Sequence, residues 1–278
     1  MTGELTALPD YLEIIRPITA GRVRSVLFDF DGTLSLIREG WRQVMIPMMV
    51  EVLLDTPRHE EEPELLTCVT SYVDELTGKQ TIYQMIRLCE EIAQRGGAPD
   101  DPLVYKKAYL ARLWERIEGR LLALETGTAS PDDWLVPGAR AFLDALLDRG
   151  AILYLASGTD RADVLREAEA LGLSRYFPDR IFGALDRYWE FSKAMLIGEI
   201  LQTHNLHGPE LVGVGDGYVE IEDTKAVGGI AIGVASEEAL REGINEWKRQ
   251  RLIRAGADVI IPDFRQHQAL ISHLWPPA

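Results

Sequence analysis

The 278-residue sequence is poor in the residues that build disulfide and zinc frameworks. It has two cysteines, Cys68 and Cys89, and five scattered histidines that no acidic or thiol partner completes into a metal set. We therefore expect both thiols to be reduced and buried. Long apolar runs are also missing, as is a charged-then-apolar leader, so a cytoplasmic protein without a membrane segment is expected.

Positive charge is scarce as well. The chain carries 29 Lys and Arg against 44 Asp and Glu, which gives a formal net charge of -15. Such a chain is a poor partner for nucleic acid or for an anionic membrane surface. A small anionic substrate would need local positive charge, from a lysine or a metal ion, because the overall field opposes it. The sequence is compatible with a monomer or a homodimer.

Two carboxylates close an apolar stretch near the start of the chain. Asp29 and Asp31 follow the strand-like residues 26–28, and Gly32 then allows a sharp turn. Residues of the same parity share one face of a strand, so both side chains should point the same way. Two adjacent carboxylates are tolerated when a cation neutralises them or when they do different jobs. An ordinary acidic turn would show the same residue types.

The remaining pattern separates a helical region from an alternating one. Residues 37–134 contain amphipathic stretches without a strand signal and predict a separate helical bundle, whose first helix Pro47 should kink or break. A short helix is expected over 11–15. From residue 135 onward, apolar strands near 152–156, 180–183, 211–214, 230–234 and 259–261 alternate with helices, the last of which is expected over 237–254. This alternation predicts an α/β fold, a Rossmann-like doubly wound parallel sheet built from residues 1–36 and 135–278.

Ligands of doubly wound sheets bind at the carboxyl ends of the strands. Asp29, Asp31, Ser157 and Asp216 each lie just beyond a predicted strand end. The fold would therefore bring these four side chains to one edge of the sheet.

Four segments, in the expected order, resemble the motifs of the haloacid dehalogenase superfamily. They are the Asp-Phe-Asp-Gly-Thr run at 29–33, the strand ending in Ser157, the helix carrying Lys193, and the Gly-Asp segment with Asp216 and Glu220. Together they are far more specific than any single motif. An insertion after the first motif resembles the helical cap of the subgroup that includes phosphoglycolate phosphatases and β-phosphoglucomutase. The resemblance thus implies an all-helical cap domain at 37–134 that closes over the site.

The resemblance also implies roles for individual residues. Asp29 would be the nucleophile that forms an aspartyl-phosphate, and Asp31 the general acid and base. Lys193 would neutralise charge on the nucleophile and the phosphoryl group. The second Asp favours phosphoryl transfer over carbon–halogen chemistry.

Metal and substrate ligands follow from the same resemblance. Asp29, the Asp31 carbonyl, Asp216 and Glu220 would hold Mg²⁺, with Glu220 binding directly or through water. Thr33, Ser157 and Gly158 would bind the phosphoryl oxygens of a small phosphorylated substrate. Thr159 and Asp160 are interpreted as helix caps.

The sequence therefore predicts a Mg²⁺-dependent phosphatase acting on a sugar phosphate or a phospho-acid. A phosphosugar mutase of the β-phosphoglucomutase type and a non-catalytic phosphate-binding regulatory protein remain alternatives. Substrate choice is expected to lie in the cap, first in the loop 77–81. Further candidates are Arg38, Trp41, Tyr188 and Trp189, although ordinary packing or turn roles would explain all of these residues too.

Overall fold

The computed structural model describes residues 12–185 and 187–276. Its strands are β1 (Glu13–Ile14), β2 (Ser25–Phe28), β3 (Ile152–Asp160), β4 (Ile181–Ala184), β5 (Leu211–Gly215), β6 (Ile230–Val234) and β7 (Val259–Ile261). They form one sheet in the order β1-β7-β6-β5-β2-β3-β4. All neighbours are parallel except β1, which pairs antiparallel with β7. The predicted α/β fold with a mostly parallel sheet is confirmed.

Ten α-helices occur within the described residues. They are α1 (Arg42–Leu54), α2 (Glu62–Leu76), α3 (Thr81–Gln94), α4 (Pro102–Glu125), α5 (Ala139–Asp148), α6 (Arg161–Ala170), α7 (Lys193–His204), α8 (Tyr218–Ala226), α9 (Glu246–Ala255) and α10 (His267–Leu274). The first four all lie between β2 and β3, and we call them the helical insertion. The predicted helical bundle after the first motif is therefore present.

The central strand β2 shows how the sheet is covered on both faces. Val26 and Phe28 belong to one hydrophobic cluster, whereas Leu27 belongs to another with residues of α7. Phe28 packs edge-to-face on Phe142 of α5, with ring centroids 6.0 Å apart. Because alternate residues of a strand point to opposite faces, helices must lie on both sides of the sheet.

Several predicted boundaries were wrong. A helix was expected over 237–254, but α9 begins only at Glu246, because Arg241 and Gly243 adopt positive φ angles of 55° and 83°. The Asn245 side chain then caps the helix by accepting a hydrogen bond from the Lys248 backbone N–H. Helix α1 runs through Pro47 without a break, and its methionines Met45, Met48 and Met49 are buried.

A short helix was also expected over residues 11–15. Residue 11 lies outside the described residues, and Glu13–Ile14 instead form β1 at the sheet edge. Cys68 and Cys89 are both free, as predicted, but each is only partly buried. Within 12–185 and 187–276, every helix is too short or too polar to span a lipid bilayer.

Candidate active site

The carboxyl ends of β2, β3 and β5 border a cavity of about 100 Å³. The strand ends, the loops that follow them and the first turn of α7 contribute Asp29, Asp31, Ser157, Gly158, Asp216 and Lys193 to its walls. The helical insertion and its linker contribute Arg38, Trp41, Gly78, Lys79, Gln84 and Tyr109. The structure therefore gathers most of the residues singled out in the sequence around one cavity between the sheet and the insertion.

Asp29 and Lys193 form a buried ion pair at this cavity. Lys193 Nζ lies 2.7 Å from Asp29 Oδ1, and the ammonium group also donates to Glu220. Ser192 caps α7 by accepting from the Met195 N–H, which fixes Lys193 in the first turn. Burial raises the pKa of Asp29 to about 7 although Lys193 opposes the shift, and the charges of Asp216 and Asp31 raise it further.

Asp31 is held by hydroxyl groups from the end of β3. Thr159 Oγ1 donates to Asp31 Oδ2 at 2.8 Å, and Ser157 Oγ donates to the same oxygen at 3.1 Å. Among residues 12–185 and 187–276, Asp31 Oδ1 finds no hydrogen-bond partner, although the Arg38 Nε lies 3.9 Å away. Asp31 is thus oriented separately from Asp29, with one oxygen left available.

Thr159 and Asp160 were both interpreted as helix caps, and this was wrong for Thr159, whose hydroxyl donates to Asp31. Asp160 does occupy the N-cap position of α6, but within the described residues its side chain makes no capping hydrogen bond and pairs with Lys106 of α4. Since β3 extends through residue 160, the alternation of strand side chains carries Ser157 and Thr159 to the same face.

Thr33 does not have the contacts of a substrate ligand. Its side chain is fully buried, and Oγ1 accepts a hydrogen bond from the Asp216 backbone N–H at 2.9 Å. Thr33 therefore joins the loop after β2 to the loop after β5, which corrects the predicted role in phosphate binding. Glu220 is likewise bound to Lys193, and this ammonium group lies between it and Asp29.

A lysine and a glutamate that the sequence did not point out complete the site. Lys248 of α9 lies 2.8 Å from Asp216 Oδ2 and 2.6 Å from Glu238 Oε1. Its ammonium also donates to Ser236 Oγ, whose hydroxyl donates to the Gly32 carbonyl. Nothing in the sequence around Lys248 indicates a role in the site. Its ammonium group reaches Asp216 only because α9 packs against β6.

The donor atoms at this edge fit a hard divalent cation. Asp29 and Asp216 offer carboxylates. The loop that carries Asp31 lies close to Asp216, since a Cβ added to Gly32 would be only 2.3 Å from Asp216 Oδ2. Among the described residues, no three His, Cys, Asp or Glu side chains are grouped closely enough to hold a metal by themselves. Two carboxylates, a main-chain carbonyl and waters would satisfy Mg²⁺, which usually keeps several waters.

Arg38 joins the insertion to the core beside Asp31. Its guanidinium makes hydrogen bonds of 2.7 and 2.9 Å to Glu167 Oε1 and one of 3.0 Å to Asp163. Burial raises the pKa of Glu167 to about 7, although the Arg38 charge opposes this shift. Arg38 thus lines the cavity but is anchored to α6.

The loop 77–81 lies against the predicted phosphate-binding residue Gly158 and against the segment that follows Asp216. A Cβ on Gly158 would lie 2.9 Å from the Lys79 carbonyl oxygen, and one on Gly78 would lie 3.5 Å from Gly217 Cα. Gln80 Nε2 donates to the Phe191 carbonyl at 2.7 Å. Tyr188 and Trp189, which were expected to line the entrance, are not among the residues that line the cavity, although the Tyr188 carbonyl accepts a hydrogen bond from Gln80 Nε2.

Arg251 fastens the start of this loop to the core. It donates to the main-chain carbonyls of Asp74, Glu75 and Thr77 at the end of α2. Its guanidinium also lies over the Tyr218 ring, 4.6 Å from the centroid. The helix α9 therefore contacts the metal-binding edge through Lys248 and the insertion through Arg251.

Comparisons with known proteins agree with this geometry. A family model described as haloacid dehalogenase-like hydrolase matches residues 23–228. None of the curated proteins compared with the chain matches it.

Solved structures share the fold at low sequence identity. A predicted phosphoglycolate phosphatase from Haemophilus somnus 129PT is 17% identical, with a TM-score of 0.61 over 90% of this chain and 98% of that one. A β-phosphoglucomutase from Clostridium difficile is 13% identical, with a TM-score of 0.54 over 84% and 98%. A hydrolase of the same family from Deinococcus radiodurans R1, solved with phosphate and sodium bound, is 19% identical, with a TM-score of 0.53 over 92% and 99%.

Proposed function

Because the chain belongs to the haloacid dehalogenase-like hydrolases, we propose that it is a Mg²⁺-dependent phosphatase that hydrolyses a small phosphorylated metabolite through an aspartyl-phosphate. The observation that carries the proposal is that two carboxylates at the same cavity have different binding partners. Asp29 is paired with Lys193, whereas Asp31 is held by the hydroxyls of Ser157 and Thr159. Two acids in such different surroundings suit different tasks.

In the first step, an oxygen of Asp29 attacks phosphorus and the bond from phosphorus to the leaving oxygen breaks. Asp31 gives its proton to that oxygen, so the product leaves as an alcohol. In the second step, Asp31 takes a proton from water as the water oxygen attacks phosphorus, and the bond to Asp29 breaks. Lys193 offsets negative charge on the transferring group throughout.

Asp29, the Asp31 carbonyl and Asp216 are the groups proposed to hold Mg²⁺, which when bound would neutralise charge on the phosphoryl oxygens. Glu220 is left out of this set because the Lys193 ammonium lies between its carboxylate and that of Asp29. The repulsion between Asp29 and its acidic neighbours, which raises the pKa of Asp29, is what a divalent cation would relieve.

We also propose that residues 37–134 act as a cap domain on a core formed by 1–36 and 135–278. The walls contributed by Lys79, Gln84 and Tyr109 would then contact the leaving group. The ammonium, amide and phenol groups of these walls would suit a sugar phosphate or a phospho-acid.

The test is Asp29→Asn, with Asp148→Asn on the exposed end of α5 as the matched control. The loss of the nucleophile should reduce phosphate release from a metabolite panel by at least about 10⁴-fold, while thermal unfolding stays unchanged. Full activity in the variant would contradict the covalent route. Isomerised product with little free phosphate from the wild type would point to a mutase, and binding without turnover would point to a regulatory protein.

A further inference from the structure

Lys248 is largely buried, and its ammonium group contacts three hydrogen-bond acceptors. Its side chain is 11% exposed, and Nζ contacts Asp216 Oδ2, Glu238 Oε1 and Ser236 Oγ at 2.8, 2.6 and 3.2 Å. Ser236 in turn is tied to the Gly32 carbonyl at 2.7 Å. A permanent positive charge is therefore fixed at the carboxylate proposed to bind the metal.

We propose that Lys248 and Glu238 form a built-in pair of opposite charges that sets how tightly Asp216 holds the divalent cation. This inference rests on the proposed metal-dependent function. Lys248 is a positioning residue in this scheme, because it acts through Asp216 and has no contact with the reacting atoms.

The sign of each effect follows from electrostatics. Lys248 Nζ lies 2.8 Å from Asp216 Oδ2, so its positive charge would oppose a divalent cation held by the same carboxylate, and the protein interior screens this repulsion less than water does. The Glu238 carboxylate attracts the same cation and cancels part of the repulsion. Lys248 therefore weakens cation binding, and Glu238 strengthens it.

A purely mechanical role would have a different signature. If Lys248 only held Asp216 in the correct rotamer, removing either member of the pair would disorder Asp216. Both substitutions would then weaken cation binding. The opposite signs expected from a charge pair distinguish the two roles.

The experiment measures Mg²⁺ affinity by titration calorimetry, without substrate, in the full-length protein. Lys248→Met should bind Mg²⁺ at least about tenfold more tightly than the wild type, and Glu238→Gln at least about tenfold more weakly. Lys225→Met removes another lysine, one that is bound to Asp258 outside the cavity, and should leave the affinity unchanged.

A double variant guards against misfolding of Lys248→Met. Lys248→Met with Glu238→Gln removes one charge of each sign next to Asp216 and should bind Mg²⁺ within about threefold of the wild type. Weaker binding in both single variants and in the double variant would overturn the inference, as would unchanged binding in all three.

The wild type and Asp216→Asn separate this inference from the proposed function. If the wild type bound no Mg²⁺, the metal-dependent function and the inference would both fail. If the wild type bound Mg²⁺ and Asp216→Asn did not, the proposed metal site would stand. Mg²⁺ affinities of the Lys248 variants that differ from those expected above would then overturn only the inference about Lys248 and Glu238.

Discussion

The hydroxyl of Thr159 donates a 2.8 Å hydrogen bond to Oδ2 of Asp31. This contact joins the end of β3 to the proposed general acid. Within the part of the chain that the structure describes, Asp31 Oδ1 has no hydrogen-bond partner, and our proposal assigns proton transfer to this oxygen.

Thr159→Val should therefore impair proton delivery. Losing a hydrogen bond to a carboxylate costs about 1.5–3 kcal/mol, so we expect kcat for an alkyl phosphate to fall by roughly tenfold to a hundredfold. An aryl phosphate with an acidic phenol needs little protonation and should be hydrolysed at nearly the wild-type rate. Thr67→Val, on the exposed face of α2, is the control. Equal losses on both substrates would show that Thr159 supports the site in another way.

Gly158→Ala tests how closely the loop 77–81 approaches the phosphate-binding region. The new Cβ would lie 2.9 Å from the Lys79 carbonyl oxygen and 3.2 Å from Gln80 Cα, so the loop has to move away. We expect KM to rise by about tenfold or more and the free energy of unfolding to fall by about 1–3 kcal/mol, because the new contacts are to the backbone of the loop.

Gly198→Ala in α7 is the matched control, because a Cβ there meets nothing within 4 Å. Steady-state kinetics and urea denaturation of both variants provide the comparison. An unchanged KM in Gly158→Ala would mean that the loop does not need this close approach for substrate binding.

Much of the fold follows from the sequence because the buried strands are continuous apolar runs. Strands β6 and β7 have the predicted bounds, and Asp29, Asp31, Ser157 and Asp216 meet at the sheet edge as expected for parallel strands. Their motifs are local in sequence, so local reasoning finds them.

What the sequence did not show depends on contacts between distant segments. Helix α8 was missed because its nine residues include three acids and form no clear apolar stripe. Lys248 lies 32 residues beyond Asp216, on a helix whose register only tertiary packing decides. The direction of the Thr159 side chain likewise depended on where β3 ends.

Arg251→Met removes the contacts between α9 and the end of α2. The arginine donates to the carbonyls of Glu75 and Thr77 at 2.9 and 3.4 Å, so its loss should release the loop 77–81. We expect faster amide hydrogen exchange in residues 74–81 and a KM raised severalfold. Arg254→Met on the exposed face of the same helix is the control. Unchanged exchange in 74–81 would show that other contacts hold the loop.

Glu167→Gln should change how stability depends on pH. The buried Glu167 carboxyl accepts two hydrogen bonds from Arg38 through Oε1, and Oε2 has no partner. Burial raises its pKa from 4.5 to about 7, Arg38 opposes the shift, and the charges of Asp31 and Asp163 add to it. The folded chain therefore retains a proton that the unfolded chain has released between these two pH values.

Because the folded state binds more protons in this window, the contribution of Glu167 to stability is fully present below about pH 4.5 and is lost as the pH rises to about 7. Each pKa unit is worth about 1.4 kcal/mol. The free energy of unfolding of the wild type, relative to Glu167→Gln, should therefore fall by up to about 3 kcal/mol between pH 4.5 and 7. Urea denaturation at several pH values measures this difference, with Glu169→Gln on the exposed face of α6 as the control. A difference that grew with pH would mean that the ion pair with Arg38 outweighs the cost of burying the charge.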